Sequence, residues 1–208
     1  MSIFLLVLLM AFNFAVSWWN ARVAGQIWQE TKALGGWLRA VAWAAAVQSA
    51  CGFTSVFAII LLAGVHLVVP HTVTLHGLEA GVDLMYVMII LPLLGSGMII
   101  TMESWIRAYR ERDFASMGIA GYNTFAMTYD TINAASNMGS AFSAIGDFFS
   151  DDDEKPDGKL LIILLVLLAL AAGIFLTHHI MVKAMGTLKV PAGPPGARMP
   201  PAPRHQAA

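Results

Sequence analysis

The stretch from Met117 to Phe149, MGIAGYNTFAMTYDTINAASNMGSAFSAIGDFF, decides how the rest of the chain is read, because it is the one long segment neither plainly apolar nor plainly soluble. Its residues Ile119, Tyr122, Phe125, Tyr129, Ile132, Ala135, Met138, Phe142, Ile145 and Phe149 recur at steps of three or four, which marks one stripe of an α-helix. A second line is polar. Asn123, Asp130 and Asn137 are spaced by seven, so they nearly superpose every two turns, with Thr124, Thr131, Ser140 and Ser143 close by. Such a helix either lies flat on a membrane or stands upright with its polar line facing water inside an assembly.

The segments around it settle the fold class. Residues 3–19 are uncharged and closed by Trp18 and Trp19, an aromatic pair suited to a membrane interface; a cleaved signal is the rival reading, weakened because no Lys or Arg precedes the apolar run. Residues 40–69 are long enough to cross with tilt, and Ala44, Ala45, Ala46, Ser49, Ala50 and Gly52 give a small-sided face for another helix, with Gln48 in need of a hydrogen bond. Residues 84–106 form a third span holding Pro92, and 160–182 a fourth ending near Thr177, His178 and His179. Asn20 to Arg39 reads as a short interfacial connector. Ser150 to Lys159 is an acidic turn, without the alternating ligands and glycine of a calcium loop. Residues 190–208, rich in Pro and Ala, cannot build a core and read as a disordered tail.

Composition agrees. The chain is 58% hydrophobic and 12% charged with mean hydropathy +0.69, whereas soluble domains are about a quarter charged. The expectation is an all-α, polytopic integral membrane protein of the cell membrane. Net charge −1 leaves no electrostatic footprint for nucleic acid. Cys51 has no partner cysteine, so it is read as a buried thiol.

Charge bias and insertion cost pull the topology apart. With four spans and the amino terminus outside, the inner side holds Arg22, Lys32, Arg39, Arg107, Arg110, Arg112, Lys155 and Lys159 against four basic residues outside. If 117–149 also crosses, the balance becomes ten to two. Against that crossing stands Asp130, which costs about 2.5 to 3.5 kcal/mol near the bilayer centre. The sequence reading therefore takes four spans plus an interfacial helix at 117–149, with the acidic turn facing the cytoplasm, and five spans as the alternative.

Candidate sites are few. Asn123, Asp130 and Asn137 are the candidate pore lining. Glu103 is the one carboxylate of the third span, and its position one turn before Arg107 predicts a structural ion pair. His66, His71, His76 and Glu79, with His178 and His179, form two groups that meet on the outer side in the four-span reading and would suit a divalent metal; otherwise they are ordinary interface residues and no cofactor is expected. No dinucleotide fingerprint, P-loop, nucleophile elbow or paired-cysteine signature occurs.

Three functions follow as expectations, the first two non-enzymatic. One is an oligomeric pore, channel or transport or secretion component, self-associating or joined to other membrane proteins in the bilayer. The next is a scaffold or assembly factor docking a cytoplasmic partner through the amphipathic helix and acidic turn. A metal-dependent membrane enzyme comes third, because no acid and base pair stands at a recognisable spacing.

Overall fold

A computed structural model describes residues 3–34, 36–150 and 156–187, all but the short connections in helices: α1 (Ile3–Leu34), α2 (Gly36–Val68), α3 (Leu75–Glu111), α4 (Phe114–Ser150) and α5 (Pro156–Thr187). Four of them, α1, α2, α3 and α5, are long and apolar enough to cross a membrane. The protein is thus all-α and polytopic. Phe4, Phe12, Leu91 and Phe175 are exposed on the outside of the bundle, as lipid-facing side chains are. The acidic residues Asp151 to Glu154 and the tail at 190–208 lie outside the described residues.

The helices overrun the apolar runs that nucleate them. At 1.5 Å per residue a helix the length of α3 is about 56 Å long, against roughly 30 Å of hydrocarbon. The connector expected at Asn20 to Arg39 is accordingly helical almost throughout, divided between α1 and α2. Pro92 sits inside α3 without ending it.

Packing fixes the directions. At one level Ala24, Ala45, Ala46, Ile100 and Met181 come together; at another, Leu62, Ala80, Phe148 and Ile162 do. Therefore α1, α3 and α5 run one way and α2 runs the other. We call the two ends after their residues: the arginine end carries Arg39, Arg107, Arg110 and Arg112, and the histidine end carries His66, His71 and His76.

This arrangement lays 117–149, the segment expected as an interfacial helix, along the bundle. Since α3 finishes at the arginine end and α5 starts at the histidine end, the helix between them must cover the length of the bundle. It does so beside α3: Trp105 Nε1 donates to Thr124 Oγ1 at 2.9 Å, Met127 reaches Gly97, and the Phe148 ring lies 6.1 Å from that of His76. Ser150 and Pro156, the flanks of the acidic turn, are at the histidine end with the start of α1.

Local chemistry makes that return feasible. Arg112 adopts the left-handed conformation (φ 54°) and its N–H bonds Ala108 O at 2.9 Å, which stops α3; Asp113 Oδ1 then accepts from Ser116 N at 2.6 Å and caps α4. Along α4 the hydroxyls of Thr124, Thr128, Thr131 and Ser136 donate to carbonyls one turn back, and the Asn137 amide bonds the Asn133 side chain. Each such bond removes a donor that hydrocarbon would leave unsatisfied.

A close seam joins α2 and α5. A Cβ on Gly173 would sit 2.5 Å from Thr54 Oγ1 and 2.8 Å from Ala50 O, so only glycine allows this approach. Ser49 and Thr177 hydroxyls meet there at 3.0 Å, fully enclosed. Small residues drive such contacts because lipid tails are as apolar as Leu, which leaves close van der Waals packing and buried hydrogen bonds as the forces that join helices.

Candidate functional site

Helices α1, α2, α3 and α4 follow one another as an arc, each packed on its neighbour, while α1 and α4 face each other across a gap. That gap is a cavity of about 350 Å³. Its lining gathers polar side chains from four helices: Asn13, Ser17 and Asn20 from α1, Gln48 and Ser55 from α2, Thr101 from α3, and Asn123 and Asp130 from α4. Asp130 is the one carboxylate among them.

The backbone geometry behind this is simple. Asn13, Ser17 and Asn20 are at i, i+4 and i+7, one face of α1. Ser17 donates to Asn13 O at 2.7 Å, and Gly52 of α2 lies against both, its missing side chain leaving the room they occupy. On the far side Thr101 Oγ1 approaches Asn123 O at 3.4 Å. Cys51 lies on the floor, its thiol directed to Ile89 O at 3.8 Å. The Tyr86 hydroxyl, buried on α3 with no hydrogen-bond partner, is within electrostatic reach of Asp130.

Of the three residues of the polar line, the structure brings Asn123 and Asp130 to the cavity and leaves Asn137 out. Asn137 is exposed, bonded to Asn133 on the outer side of α4. Most of the apolar stripe is outward: Phe125, Tyr129 and Ile132 are exposed away from the cavity, while Tyr122, also exposed, stands at its lining. The face turned to α3 instead carries Ser116, Ala120, Ala134, Ala141 and Phe148.

The predicted Glu103 to Arg107 ion pair does not form. Glu103 accepts the Trp37 indole N–H at 2.5 Å, and Arg107 pairs with Glu111 at 2.7 Å. Both acids are one turn from Arg107, and the indole of α2 takes the first of them.

The two histidine groups are not brought together. His66 Nδ1 lies 2.8 Å from Val73 O and braces the α2–α3 connection, where His71, His76 and Glu79 are exposed. His178 and His179 belong to the level of Ser49 and Arg22, roughly 24 Å along α5 from Ile162 at 1.5 Å per residue. Among the described residues no three His, Cys, Asp or Glu side chains are grouped as metal ligands. The joint site needed both groups on one side, and α5 separates them.

The sequence reading missed Asn13, Ser17, Asn20, Ser55 and Thr101 as site residues. For the three on α1 the signal was present as helical spacing inside an otherwise apolar run. Compared with family models, with curated proteins and with solved structures, the chain gives no match.

Proposed function

We propose that this protein is a non-enzymatic membrane transport component in which the cavity between α1 and α4 is the waypoint for a small monovalent cation. The observation that carries the reading is the convergence of amides and hydroxyls from four helices around one carboxylate, Asp130. Ionisable groups at membrane depth are costly and are retained where they face a pathway. Asn and Gln amides offer carbonyl oxygens to a cation and N–H groups to water. A single carboxylate suits one positive charge; divalent ions held by oxygen draw on more carboxylates or a tighter cage.

Orientation belongs to the same proposal. Arg39, Arg107, Arg110, Arg112 and Lys183 lie toward the arginine end and Lys159 at the other, so the positive-inside rule puts the arginine end in the cytoplasm and the start of α1 outside.

A second reading, a scaffold that assembles with its own copies or with other membrane proteins, is favoured by the outer face of α4. Ser136, Asn137, Ser140 and Ser143 are exposed there, on a helix packed chiefly against α3. Flux into reconstituted liposomes separates the two. The transport reading expects monovalent cation flux above empty liposomes, falling about tenfold in Asp130→Asn, equivalent to ~1.4 kcal/mol, with the assembly unchanged on size-exclusion chromatography. Absence of flux from correctly assembled protein removes that reading and leaves the scaffold.

A further inference from the structure

On the opposite side of α1 from the polar cavity, α1 and α5 enclose a second groove, of about 500 Å³, whose walls and mouth differ in character. The walls are Phe14, Trp18, Leu176 and Ile180; the mouth carries Arg22, His179 and Lys183, and no acidic residue lines any part of it. We propose that this groove binds an anionic phospholipid, with the headgroup phosphate between Arg22 and Lys183 and an acyl chain along Phe14 and Leu176.

Three observations support it. Arg22 and Lys183 are the first basic residues after the uncharged run 3–19 and the apolar run 160–182, a position suited to the headgroup level with the walls toward the hydrocarbon. Neither charge is compensated: among the described residues the one ion pair is Arg107 to Glu111. The Arg22 guanidinium is also held in place, 4.8 Å over the Trp18 ring, which presents its planar donors outward for a phosphate oxygen pair. A neighbouring groove of about 480 Å³, walled by Trp28, Trp43, Ile174 and Met181, has no Lys or Arg and serves as the internal contrast. Basic pockets between membrane helices on the cytoplasmic side are a recurrent means of recognising anionic headgroups. The apolar walls favour a lipid over a soluble anion, which would leave them unfilled.

The test is native mass spectrometry of the full chain, delipidated in detergent and titrated with phosphatidylglycerol or with phosphatidylcholine of the same acyl chains. One phosphatidylglycerol should be retained in preference, with affinity falling about fivefold for each basic residue removed in Arg22→Gln and Lys183→Gln. Arg22→Lys, which keeps the charge, reports whether a loss in Arg22→Gln is merely misfolding, and Lys183 is exposed, so Lys183→Gln should fold in any case. Arg110→Gln should change nothing. Equal retention of the two lipids, or equal loss in Arg110→Gln, overturns the site. Displacement of phosphatidylglycerol by millimolar inorganic phosphate overturns the lipid and makes the groove a soluble-anion site.

Discussion

The α2–α5 seam and the α3–α4 seam are both long antiparallel contacts, yet they are made of different materials. Between α2 and α5 a glycine meets a backbone carbonyl, two hydroxyls bond each other, and Phe53, Thr54, Ala58, Ile162 and Val166 are fully or almost fully buried. Between α3 and α4 the contacts include a Met sulfur against Gly97, an indole on a threonine, a long hydroxyl contact and the His76–Phe148 rings, while Gly118, Gly121, Gly139 and Gly146 of α4 face open space. The first seam leaves no room for an added side chain at Gly173. The second holds a polar helix upright without closing the gap in which its carboxylate sits.

The largest effect tests whether α4 crosses at all. In a Cys51→Ser background, Ser150→Cys should react promptly with an impermeant thiol reagent in intact cells, and Arg110→Cys only after permeabilisation. Equal reactivity of the two from one side would make α4 an interfacial helix and dissolve the comparison. Next in size is Gly173→Leu, which should destabilise the bundle by about 3 kcal/mol or prevent its assembly, since overpacking typically costs ~1 to 3 kcal/mol and here the obstacle is backbone. Gly121→Leu should stay within ~0.5 kcal/mol of the unmutated protein. Denaturant titration in mixed micelles measures both, and similar losses would mean the seams are equally tight.

Smaller again, Ser49→Ala with Thr177→Val should cost about 1 kcal/mol, the scale of interhelical hydrogen bonds in membranes. The smallest effect is on pH. The Ser116 backbone N–H, with further help from the Ser116 hydroxyl and the Ala115 N–H, holds the exposed Asp113 carboxyl below the usual carboxylate range. A depressed acid stabilises the folded form above its unfolded value and ceases to do so as pH falls through the folded one. Protection of the Ser116 amide, measured against its intrinsic exchange rate at each pH, should therefore be lost only below about pH 4, the ordinary aspartate range. An Asp113→Ala variant, unprotected at every pH, should not show that step.

How much of this was legible in the chain depends on what each residue reports. The apolar runs at 3–19, 40–69, 84–106 and 160–182 announced the four apolar helices because length and composition are local properties. The course of 117–149 along the bundle did not follow from hydropathy, which registers the cost of Asp130 but not the cavity it shares with polar residues of α1 and α2. The charge count of ten to two responds instead to the parity of crossings, which the labelling of Ser150→Cys would decide. Asn13, Ser17 and Asn20 could have been read from their spacing. The Trp37 to Glu103 bond could not: its partners are on different helices, and without it the pairing of Arg107 with Glu103 or Glu111 is a tie.

All six tryptophans, Trp18, Trp19, Trp28, Trp37, Trp43 and Trp105, lie between the middle of the bundle and the arginine end. Excited near 295 nm, where tryptophan dominates absorption, the protein is a one-sided optical reporter. A brominated lipid confined to the leaflet at that end should quench its emission strongly, and the same lipid in the opposite leaflet weakly. Events at the histidine end, including any movement of Ser150, will be dark unless a fluorophore is added there. Orientation in a vesicle can thus be read from the protein's own light, without a tag.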